Sequence, residues 1–330
     1  PGSTRAFFPG AHQAGPALRR PCGRSRVTTA NAAVDRHAVA ATRSRTIDFV
    51  TLTKPRLNLL VLVTTLGSLY LASPEGVAAS LLVHTLVGTA LVAGGAAALN
   101  QVWERDTDRL MRRTSGRPLP QGRLGVNEGT WFGVLLTSIG LVELTFGANS
   151  VAAAVALATS ASYVLAYTPL KARTSLATLV GAVPGALPPV IGWAAATGEI
   201  TLPAWVLFGI VFFWQMPHFL AIAWMHRNDY ARAAIPLLPV LEPDGRRTGQ
   251  QALLYAAALW PVSLLPAVVG LADAPYSFVA TALGFDFGEE VPRLAERTDH
   301  VVVVSIYHLI DGRFDVQQVV SSRSENVIGL

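Results

Sequence analysis

Residues 77–99 read VAASLLVHTLVGTALVAGGAAAL, and residues 100–124 continue as NQVWERDTDRLMRRTSGRPLPQGRL. The first stretch contains no Asp, Glu, Lys or Arg, and its length matches the roughly 20 apolar residues that an α-helix needs to cross the hydrocarbon core of a bilayer. The second stretch is rich in carboxylate, amide and guanidinium groups. The junction therefore predicts a transmembrane helix that ends in a polar site at one membrane face.

The rest of the chain repeats the apolar pattern. The 330 residues are 51% apolar and 14% charged, whereas a soluble protein usually has about 25% charged residues. These runs lack the alternation of barrel strands, so they predict an all-α, polytopic transmembrane helix bundle. Besides 77–99, full spans are expected at 57–73, 131–148, 150–166, 176–197, 203–224 and 251–272. Gly147, Asn149 and Ser150 predict a turn between the third and fourth spans. An eighth run, 275–285, is truncated at Asp286 and is too short to span.

The charges of the loops predict the orientation of the spans. The loops after spans one, three and five contain no Lys or Arg, whereas the loops after spans two, four and six contain twelve. Because basic loops stay on the cytoplasmic or matrix side, all three basic loops and the amino terminus are expected there. The net charge of +5 then reflects topology and a phosphate site, and it does not indicate a nucleic-acid partner.

The two ends of the chain differ in composition from the membrane domain, which we expect at 47–285. Residues 1–46 are rich in Arg and contain one acidic residue, Asp35, which is compatible with a mitochondrial transit peptide, a disordered arm or sequence outside the native start. Residues 286–330 are expected to form an atypical soluble tail, with a hairpin around Asp311-Gly312. The single cysteine, Cys22, excludes a disulfide or a thiolate metal site within one chain.

The strongest candidate site follows the apolar run at 77–99. Asn100, Glu104 and Asp108 are four residues apart, and each such step turns a helix by only about 40°, so their side chains share one face. Oxygen ligands backed by arginines suit a magnesium-bound diphosphate. The alternative is a charged helix end with ordinary i,i+4 pairs. Asp106 points elsewhere, and we expect it to pair with a neighbouring arginine.

Two basic segments are candidates for binding the diphosphate. RPLPQGR at 117–123 predicts a fixed turn that leaves Arg117 and Arg123 facing one pocket mouth, although anchoring to lipid headgroups is the alternative. YTPLKART at 167–174 places Lys171 and Arg173 after Pro169, where we expect the helix to break. These two side chains are equally well explained as markers of the basic membrane side.

A third polar cluster lies in WQMPHFLAIAWMHRNDYARAAIPLLPV at 214–240. His218, next to Pro217, could ligate haem iron, contact a substrate, or simply bond a carbonyl freed by the proline. Asp229 could hold a second magnesium through the same diphosphate, or could form an ion pair with Arg227. His84 and Glu143 also lie in apolar spans, and we interpret both as structural.

Four segments together resemble a known family. Residues 100–124, 167–174, 181–198 and 213–240 resemble the protoheme IX farnesyltransferase (haem O synthase) family, which belongs to the membrane prenyltransferases related to 4-hydroxybenzoate prenyltransferase. The likeness extends in order over about 47–285. It implies a helical bundle with a central, lipid-accessible cavity. It also implies magnesium-dependent transfer of a farnesyl group from farnesyl diphosphate to the vinyl group of haem B, giving haem O and diphosphate.

The resemblance also implies roles for individual residues. Asn100, Glu104 and Asp108 match the first metal motif, and Asp229 falls at the second acidic motif. That second motif is thin, because Met225 and Ala233 occupy the positions four residues away. Metal binding and catalysis are thus assigned to these four oxygen-bearing residues. The substrate-binding candidates are Arg112, Arg113, Arg117, Tyr167, Lys171, Arg173, Asn228 and, toward haem, His218.

Other functions remain open at this stage. One is a prenyltransferase that acts on a quinone or chlorophyll precursor, and another is a membrane transporter of an anionic substrate. The resemblance implies haem B and farnesyl diphosphate as substrates, the lipid bilayer as surroundings and a haem A synthase step downstream. The expected location is the bacterial inner membrane, with the mitochondrial inner membrane as the alternative.

Overall fold

The computed structural model describes residues 45–281, and in this range every regular element is a helix. The arm before Arg45 and the hairpin expected around Asp311-Gly312 lie outside the described residues. The domain boundaries at 47 and 285 therefore stay predictions. The absence of strands between 45 and 281 confirms the expected all-α class for the membrane domain.

The helices follow one another with short connections. In chain order they are α1 (Arg45–Leu52), α2 (Pro55–Leu71), α3 (Ala79–Trp103), α4 (Arg105–Leu110), α5 (Val126–Gly147), α6 (Ser150–Ala161), α7 (Thr168–Lys171), α8 (Ala177–Ala186), α9 (Pro188–Thr197), α10 (Leu202–Met225), α11 (Arg227–Arg232), α12 (Leu238–Leu241) and α13 (Arg246–Val268). A π-helix, Ser162–Tyr167, joins α6 to α7. Another helix begins at 274 and continues to the end of the described range at 281.

Six helical segments of the described range are long and apolar enough to cross a membrane: Ala79–Trp103, Val126–Gly147, Ser150–Lys171, Ala177–Thr197, Leu202–Met225 and Arg246–Val268. The pair α1 and α2, which meet at 45°, gives a seventh if it counts as one span. The positions agree with the seven predicted runs, while the count of seven full spans and a truncated eighth stays a prediction. The chain has the architecture of an integral membrane protein.

Small residues allow α3 and α5 to pack backbone to backbone. A Cβ atom on Gly140 would lie 2.7 Å from the carbonyl oxygen of Gly88, and one on Gly133 would lie 3.0 Å from that of Gly95. Larger side chains at these positions would force the helices apart. Gly95 belongs to the small-residue run GGAAAL at 94–99, so this run takes part in the close contact. This packing fixes the end of α3, from which the polar cluster extends.

Polar side chains bond carbonyls in the proline-rich segment of α8 and α9. The Ser68 hydroxyl of α2 donates to the carbonyl of Pro189 at 2.5 Å, and the Gln215 amide of α10 donates to that of Ala182 at 2.7 Å. Backbone groups that stay unsatisfied at membrane depth cost several kcal/mol, in the range of roughly 2–7 kcal/mol. These side chains therefore hold the broken helix pair between α2 and α10.

Two local expectations can be compared with the backbone. The predicted turn between the third and fourth spans is confirmed, because Asn149 caps α6 by accepting from the Ala152 amide at 2.9 Å. The predicted break at Pro169 is wrong, since the helix continues to Lys171. Proline cannot donate to the carbonyl four residues earlier, and the chain adopts a π-helix just before it instead of ending there.

His84 and Glu143 are partners across the α3–α5 contact. The Nδ1 atom of His84 lies 2.7 Å from an oxygen of Glu143. The sequence could not pair them, because they lie on different helices and 59 residues apart. Their contact agrees with the structural role that we expected for both.

Candidate active site

The three ligand candidates remain stacked although the helix is interrupted. α3 ends at Trp103, Glu104 forms a junction, and α4 begins at Arg105. The amide of Glu104 still donates to the carbonyl of Asn100 at 2.9 Å, and that of Asp108 to Glu104 at 2.8 Å. Because both i,i+4 bonds persist, the side chains of Asn100, Glu104 and Asp108 stay on one face. All three are buried.

A different cation faces each of these three side chains. The Lys54 ammonium donates to the amide oxygen of Asn100 at 2.8 Å. The Lys171 ammonium lies 3.0 Å from a carboxylate oxygen of Glu104, and the Arg117 guanidinium lies 2.6 Å from one of Asp108. The structure thus brings together the first motif, the second basic segment and the start of α2.

The π-helix contributes two more contacts to Asn100. The Tyr163 hydroxyl donates to its amide oxygen at 3.1 Å, and its amide nitrogen donates to the hydroxyl of Thr168 at 3.0 Å. Tyr163 also stacks on Tyr167, with ring centroids 5.5 Å apart. Single π-turns are frequent at functional sites. Tyr167 was predicted as a site residue, but Tyr163 and Thr168 were not, because the widened turn that aims them at Asn100 has no sequence signature.

Lys54 is also part of the site, and the sequence did not predict it. It follows α1, precedes Pro55 and has a left-handed backbone with φ 48° and ψ 62°. This conformation costs a residue other than glycine about 1–2 kcal/mol. Such strain is common at functional sites, where the surroundings impose it. The signal that the sequence offers is a lysine directly before a proline at a membrane boundary.

The remaining oxygen of Asp108 identifies a place for a metal. Oδ1 of Asp108 is buried and has no hydrogen-bond partner among the described residues. An unsatisfied carboxylate oxygen at zero exposure is costly, and a magnesium ion would satisfy it. Among the described residues, no three His, Cys, Asp or Glu side chains form a metal site by themselves. The donor set therefore fits magnesium that also takes the Asn100 amide oxygen and oxygens from a substrate or water.

Glu104 is ionised at neutral pH. Burial by itself raises the pKa of this carboxyl, but the charges of Lys171 and Lys54 and the hydrogen bonds from Lys171 and Asn100 outweigh it. The net result is a pKa below the ordinary value of 4.5. Glu104 is thus available as an anionic ligand throughout the physiological pH range.

The second acidic motif lies beside the first. The backbone amide of Arg113 donates to a carboxylate oxygen of Asp229 at 3.4 Å. Apolar contacts hold the two segments together, since Met111 packs in the same buried cluster as Tyr230 and Ala233. The predicted alternative of an ion pair between Asp229 and Arg227 is wrong, because Asp229 pairs with Arg232. The Arg227 guanidinium instead lies over the Trp224 ring, 4.5 Å from its centroid.

The basic candidates separate into engaged and exposed groups. Arg117 and Lys171 reach the carboxylates, whereas Arg112, Arg113, Arg173 and Asn228 are exposed. Their contact with a diphosphate stays a prediction. Arg123 does not face the same opening as Arg117, because its Nε lies 3.1 Å from both carboxylate oxygens of buried Asp48 in α1. That pair ties the loop after α4 to α1.

Asp106 behaves as expected. It is exposed and pairs with Arg105 at 3.0 Å and Arg109 at 3.6 Å, away from the buried cluster. This provides an internal comparison for Asp108, which lies two residues further along the chain. The two carboxylates differ in burial and partner because they project from opposite sides of α4.

His218 lies inside α10, directly after Pro217. Its ring is parallel to that of Trp214 within 13°, with centroids 5.8 Å apart, and it is partly buried. A flat aromatic surface next to an imidazole suits a planar conjugated ligand.

Nearer the membrane edge, burial and then the charge of Arg113 lower the pKa of His226, so this side chain is neutral at pH 7.

The buried cluster can bind a metal diphosphate and assist its departure from carbon. It combines anionic and amide oxygens, three cations and tyrosine rings at the end of an apolar bundle. The second acidic motif lies close enough to approach the same ligand through Arg113. The roles of Asn100, Glu104, Asp108 and Asp229 as metal ligands stay a prediction.

The chain is similar to proteins of known family. Residues 61–288 match the UbiA prenyltransferase family, and the match ends close to Phe285, where the resemblance noted in the sequence ends. The chain is 46% identical over 276 residues to protoheme IX farnesyltransferase from Solibacter usitatus, covering 79% of this chain and 94% of that protein. It is 48% identical over 240 residues to the enzyme of this name from Myxococcus xanthus, covering 73% and 81%.

Solved structures share the fold. A digeranylgeranylglyceryl phosphate synthase superposes with a TM-score of 0.66 at 15% identity, covering 80% of this chain and 94% of that one. A UbiA homolog from Archaeoglobus fulgidus bound to GPP and Mg²⁺ superposes with a TM-score of 0.59 at 15% identity, covering 78% and 94%. At these identities the likeness establishes the architecture alone.

Proposed function

Because the chain belongs to the UbiA prenyltransferase family, we propose that it transfers the farnesyl group of farnesyl diphosphate to the vinyl group of haem B, giving haem O and diphosphate. The observation that supports this substrate pair most strongly is the 41–48% identity to three protoheme IX farnesyltransferases over most of their lengths. The buried cluster at the end of α3 provides the chemistry of a prenyl transfer.

The diphosphate end of the reaction is assigned to the cluster of Asn100, Glu104 and Asp108. We propose that these residues and Asp229 hold magnesium, as the bound Mg²⁺ in the Archaeoglobus fulgidus homolog supports. When bound, magnesium would supply positive charge to the oxygens of the departing diphosphate. Arg117 and Lys171 contribute further positive charge, and we assign Arg112, Arg113, Arg173 and Asn228 to contacts with the diphosphate.

The allylic C–O bond breaks because negative charge that develops on the diphosphate is stabilised by cations already in position. The farnesyl cation must then meet the electron-rich vinyl carbon before water does. The apolar bundle beyond the cluster provides dry surroundings for this step. Tyr167, which ends the π-helix and stacks on Tyr163, is assigned to substrate binding.

The haem end is assigned to the surface of α10 that carries Trp214 and His218. The parallel rings present an aromatic face to a planar acceptor, and the imidazole is a candidate for contact with the haem. A central cavity between this surface and the cluster is implied by the reaction, since the vinyl carbon must reach the isoprenoid. After hydration of the alkylated vinyl group, haem O would be the substrate of a haem A synthase step.

We place the enzyme in the bacterial inner membrane, with the mitochondrial inner membrane as the alternative. The named relatives from Solibacter usitatus and Myxococcus xanthus are bacterial, which supports the first location. The basic loops after the second, fourth and sixth spans meet at the cluster, as the contacts between Glu104 and Lys171 and between Arg113 and Asp229 show. The diphosphate would therefore enter from the cytoplasmic face.

Product analysis tests the proposed function. Membranes that contain the chain are incubated with haem B, farnesyl diphosphate and magnesium, and extracted haems are analysed by mass. We expect haem O to accumulate, and to be missing in membranes that contain Asp108→Asn. Prenylation of a quinone or chlorophyll precursor in the same assay, without haem O, would refute the assignment of the acceptor.

A further inference from the structure

Each ligand of the first motif is occupied by a cation in this structure. Lys54, Lys171 and Arg117 lie 2.8, 3.0 and 2.6 Å from oxygens of Asn100, Glu104 and Asp108, respectively. The three cations come from three separate elements: the junction before α2, the end of α7 and the loop after α4. The pairing is therefore a product of the tertiary fold.

These cations compete with a metal for the same oxygens. Magnesium binds oxygen at about 2.0–2.1 Å, and ammonium or guanidinium groups at hydrogen-bond distance from the same ligands would repel it. Three cations also face only two carboxylates, because Asn100 is neutral. The cluster consequently carries one uncompensated positive charge. This charge attracts an anion and repels a bare metal ion.

A diphosphate changes this balance. It brings several negative oxygens with which the three cations can pair. When the cations pair with the diphosphate, the oxygens of Asn100, Glu104 and Asp108 become available to magnesium. Lys54 is central to this exchange, because its partner is the neutral amide and its ammonium loses least by leaving. Its strained left-handed backbone, directly before the rigid Pro55, aims the side chain at the cluster.

We propose that Lys54 is a positioning residue that holds the Asn100 amide oxygen in place in the metal-free site and transfers to the diphosphate when the metal diphosphate binds. The inference rests on the proposed function in that it takes a diphosphate as the ligand. Lys171 and Arg117 make the same exchange from Glu104 and Asp108. Metal and diphosphate then bind cooperatively, each weakly alone and more tightly together.

The test measures metal binding without turnover. The full chain in lipid nanodiscs is titrated with Mn²⁺, with free Mn²⁺ followed by electron paramagnetic resonance, in the absence and presence of inorganic pyrophosphate. A blank of Mn²⁺ and pyrophosphate without protein corrects for their association in solution. In the wild type we expect pyrophosphate to raise the Mn²⁺ affinity by about 5- to 150-fold, the usual range of coupling between sites.

Removing the ammonium should change the two affinities in opposite directions. For Lys54→Met we expect tighter Mn²⁺ binding in the absence of pyrophosphate, by about 3- to 10-fold, and weaker pyrophosphate binding by about 10-fold, as expected for losing roughly one charged contact. Lys54→Gln, which keeps a donor but not the charge, should behave like Lys54→Met. Lys54→Arg should restore most of the coupling. Arg56→Met, an exposed cation two residues away, is the matched control and should match the wild type.

Two results would overturn the inference. One is unchanged coupling in Lys54→Met and Lys54→Gln. The other is weaker Mn²⁺ binding in the absence of pyrophosphate, which would mean that Lys54 only supports the fold around Asn100. Lys54→Gln guards against misfolding of Lys54→Met.

If the wild type makes haem O but these variants show no altered coupling, the inference fails and the proposed function stands. If the variants alter the coupling as expected but the wild type makes no haem O, the inference stands and the proposed function fails.

Discussion

The backbone amide of Arg113 donates a hydrogen bond of 3.4 Å to the carboxylate of Asp229, across 116 residues of sequence. This contact joins the loop that follows the first acidic motif to the short helix that carries the second. It explains how a second motif with only one carboxylate can work, because Asp229 is held beside the first motif by the backbone and does not need a second acid for its placement.

Asp229→Ala should weaken binding of metal diphosphate by about 10-fold or more, since it removes both a ligand candidate and the acceptor for the Arg113 amide. The measurement is the Mn²⁺ titration in the presence of pyrophosphate. Asp244→Ala, at an exposed carboxylate in the loop before α13, is the control. Equal affinities for the two variants would remove Asp229 from the site.

Asp108→Asn should reduce haem O formation by at least about 10²-fold while the protein stays in the membrane, because a neutral amide cannot replace the buried carboxylate as a metal ligand. Asp106→Asn is a close control, since that carboxylate is exposed and pairs with Arg105. Full activity of Asp108→Asn would show that this carboxylate does not bind the metal.

His218→Ala should weaken haem B binding more than farnesyl diphosphate binding. The imidazole is stacked on Trp214 within α10, next to an aromatic face that suits a planar ligand. Haem binding can be followed by the Soret band, and diphosphate binding by competition with pyrophosphate. His84→Ala, which alters a histidine paired with Glu143, controls for general loss of an imidazole. If His218→Ala weakened haem binding and diphosphate binding equally, the residue would have a structural role only.

Gly140→Ala should destabilise the bundle by about 1–3 kcal/mol, because the new methyl group would overlap the backbone of α3 at Gly88. Gly67→Ala is the control, since nothing lies within 4 Å of a Cβ at that position in α2. It should be neutral or stabilising by up to about 1 kcal/mol. Unfolding of the purified protein in detergent gives both values, and an undisturbed Gly140→Ala would contradict the close helix contact.

The depressed pKa of Glu104 predicts the acid limit of metal binding. A carboxyl with a lowered folded pKa contributes stability that is fully present above its unfolded value and is lost as pH falls through the folded value, here below 4.5. The contribution of Glu104 to metal binding should therefore persist down to about pH 5.

Removing the main positive partner of Glu104 should shift that limit. In Lys171→Met, burial is opposed by fewer charges, so the pKa of Glu104 should rise and the loss of Mn²⁺ binding should begin at higher pH. Arg105→Met, which changes a partly exposed cation paired with Asp106, should leave the limit in place. An unshifted limit in Lys171→Met would show that Lys171 does not control this carboxyl.

The first motif was readable from the sequence because its information is local. A spacing of four residues places Asn100, Glu104 and Asp108 on one face of any helix, and the uncharged run before them needs a lipid environment. The turn at Asn149 and the pairing of Asp106 with neighbouring arginines were readable for the same reason. Short-range periodicity and capping chemistry depend little on the rest of the chain.

The partners of those residues were not readable. Nothing local connects Lys54 to Asn100, Asp48 to Arg123 or His84 to Glu143, because each pair is brought together by helices that are distant in sequence. The π-turn before Pro169 also escaped prediction, since its register depends on the neighbouring helices that receive Tyr163 and Thr168. Arg123 was placed at the wrong site because its partner Asp48 is 75 residues away in sequence, and only packing brings the two together.

Hydropathy and helical period act residue by residue, so the linear chain was enough to specify a membrane-embedded helical bundle with oxygen ligands at one polar end. Three-dimensional packing was needed to establish which cation holds which ligand oxygen, and that Asp229 lies beside Arg113. Those choices depend on the close contact of α3 with α5 and on the left-handed backbone at Lys54 between α1 and α2. Backbone packing there sets distances that no linear pattern contains.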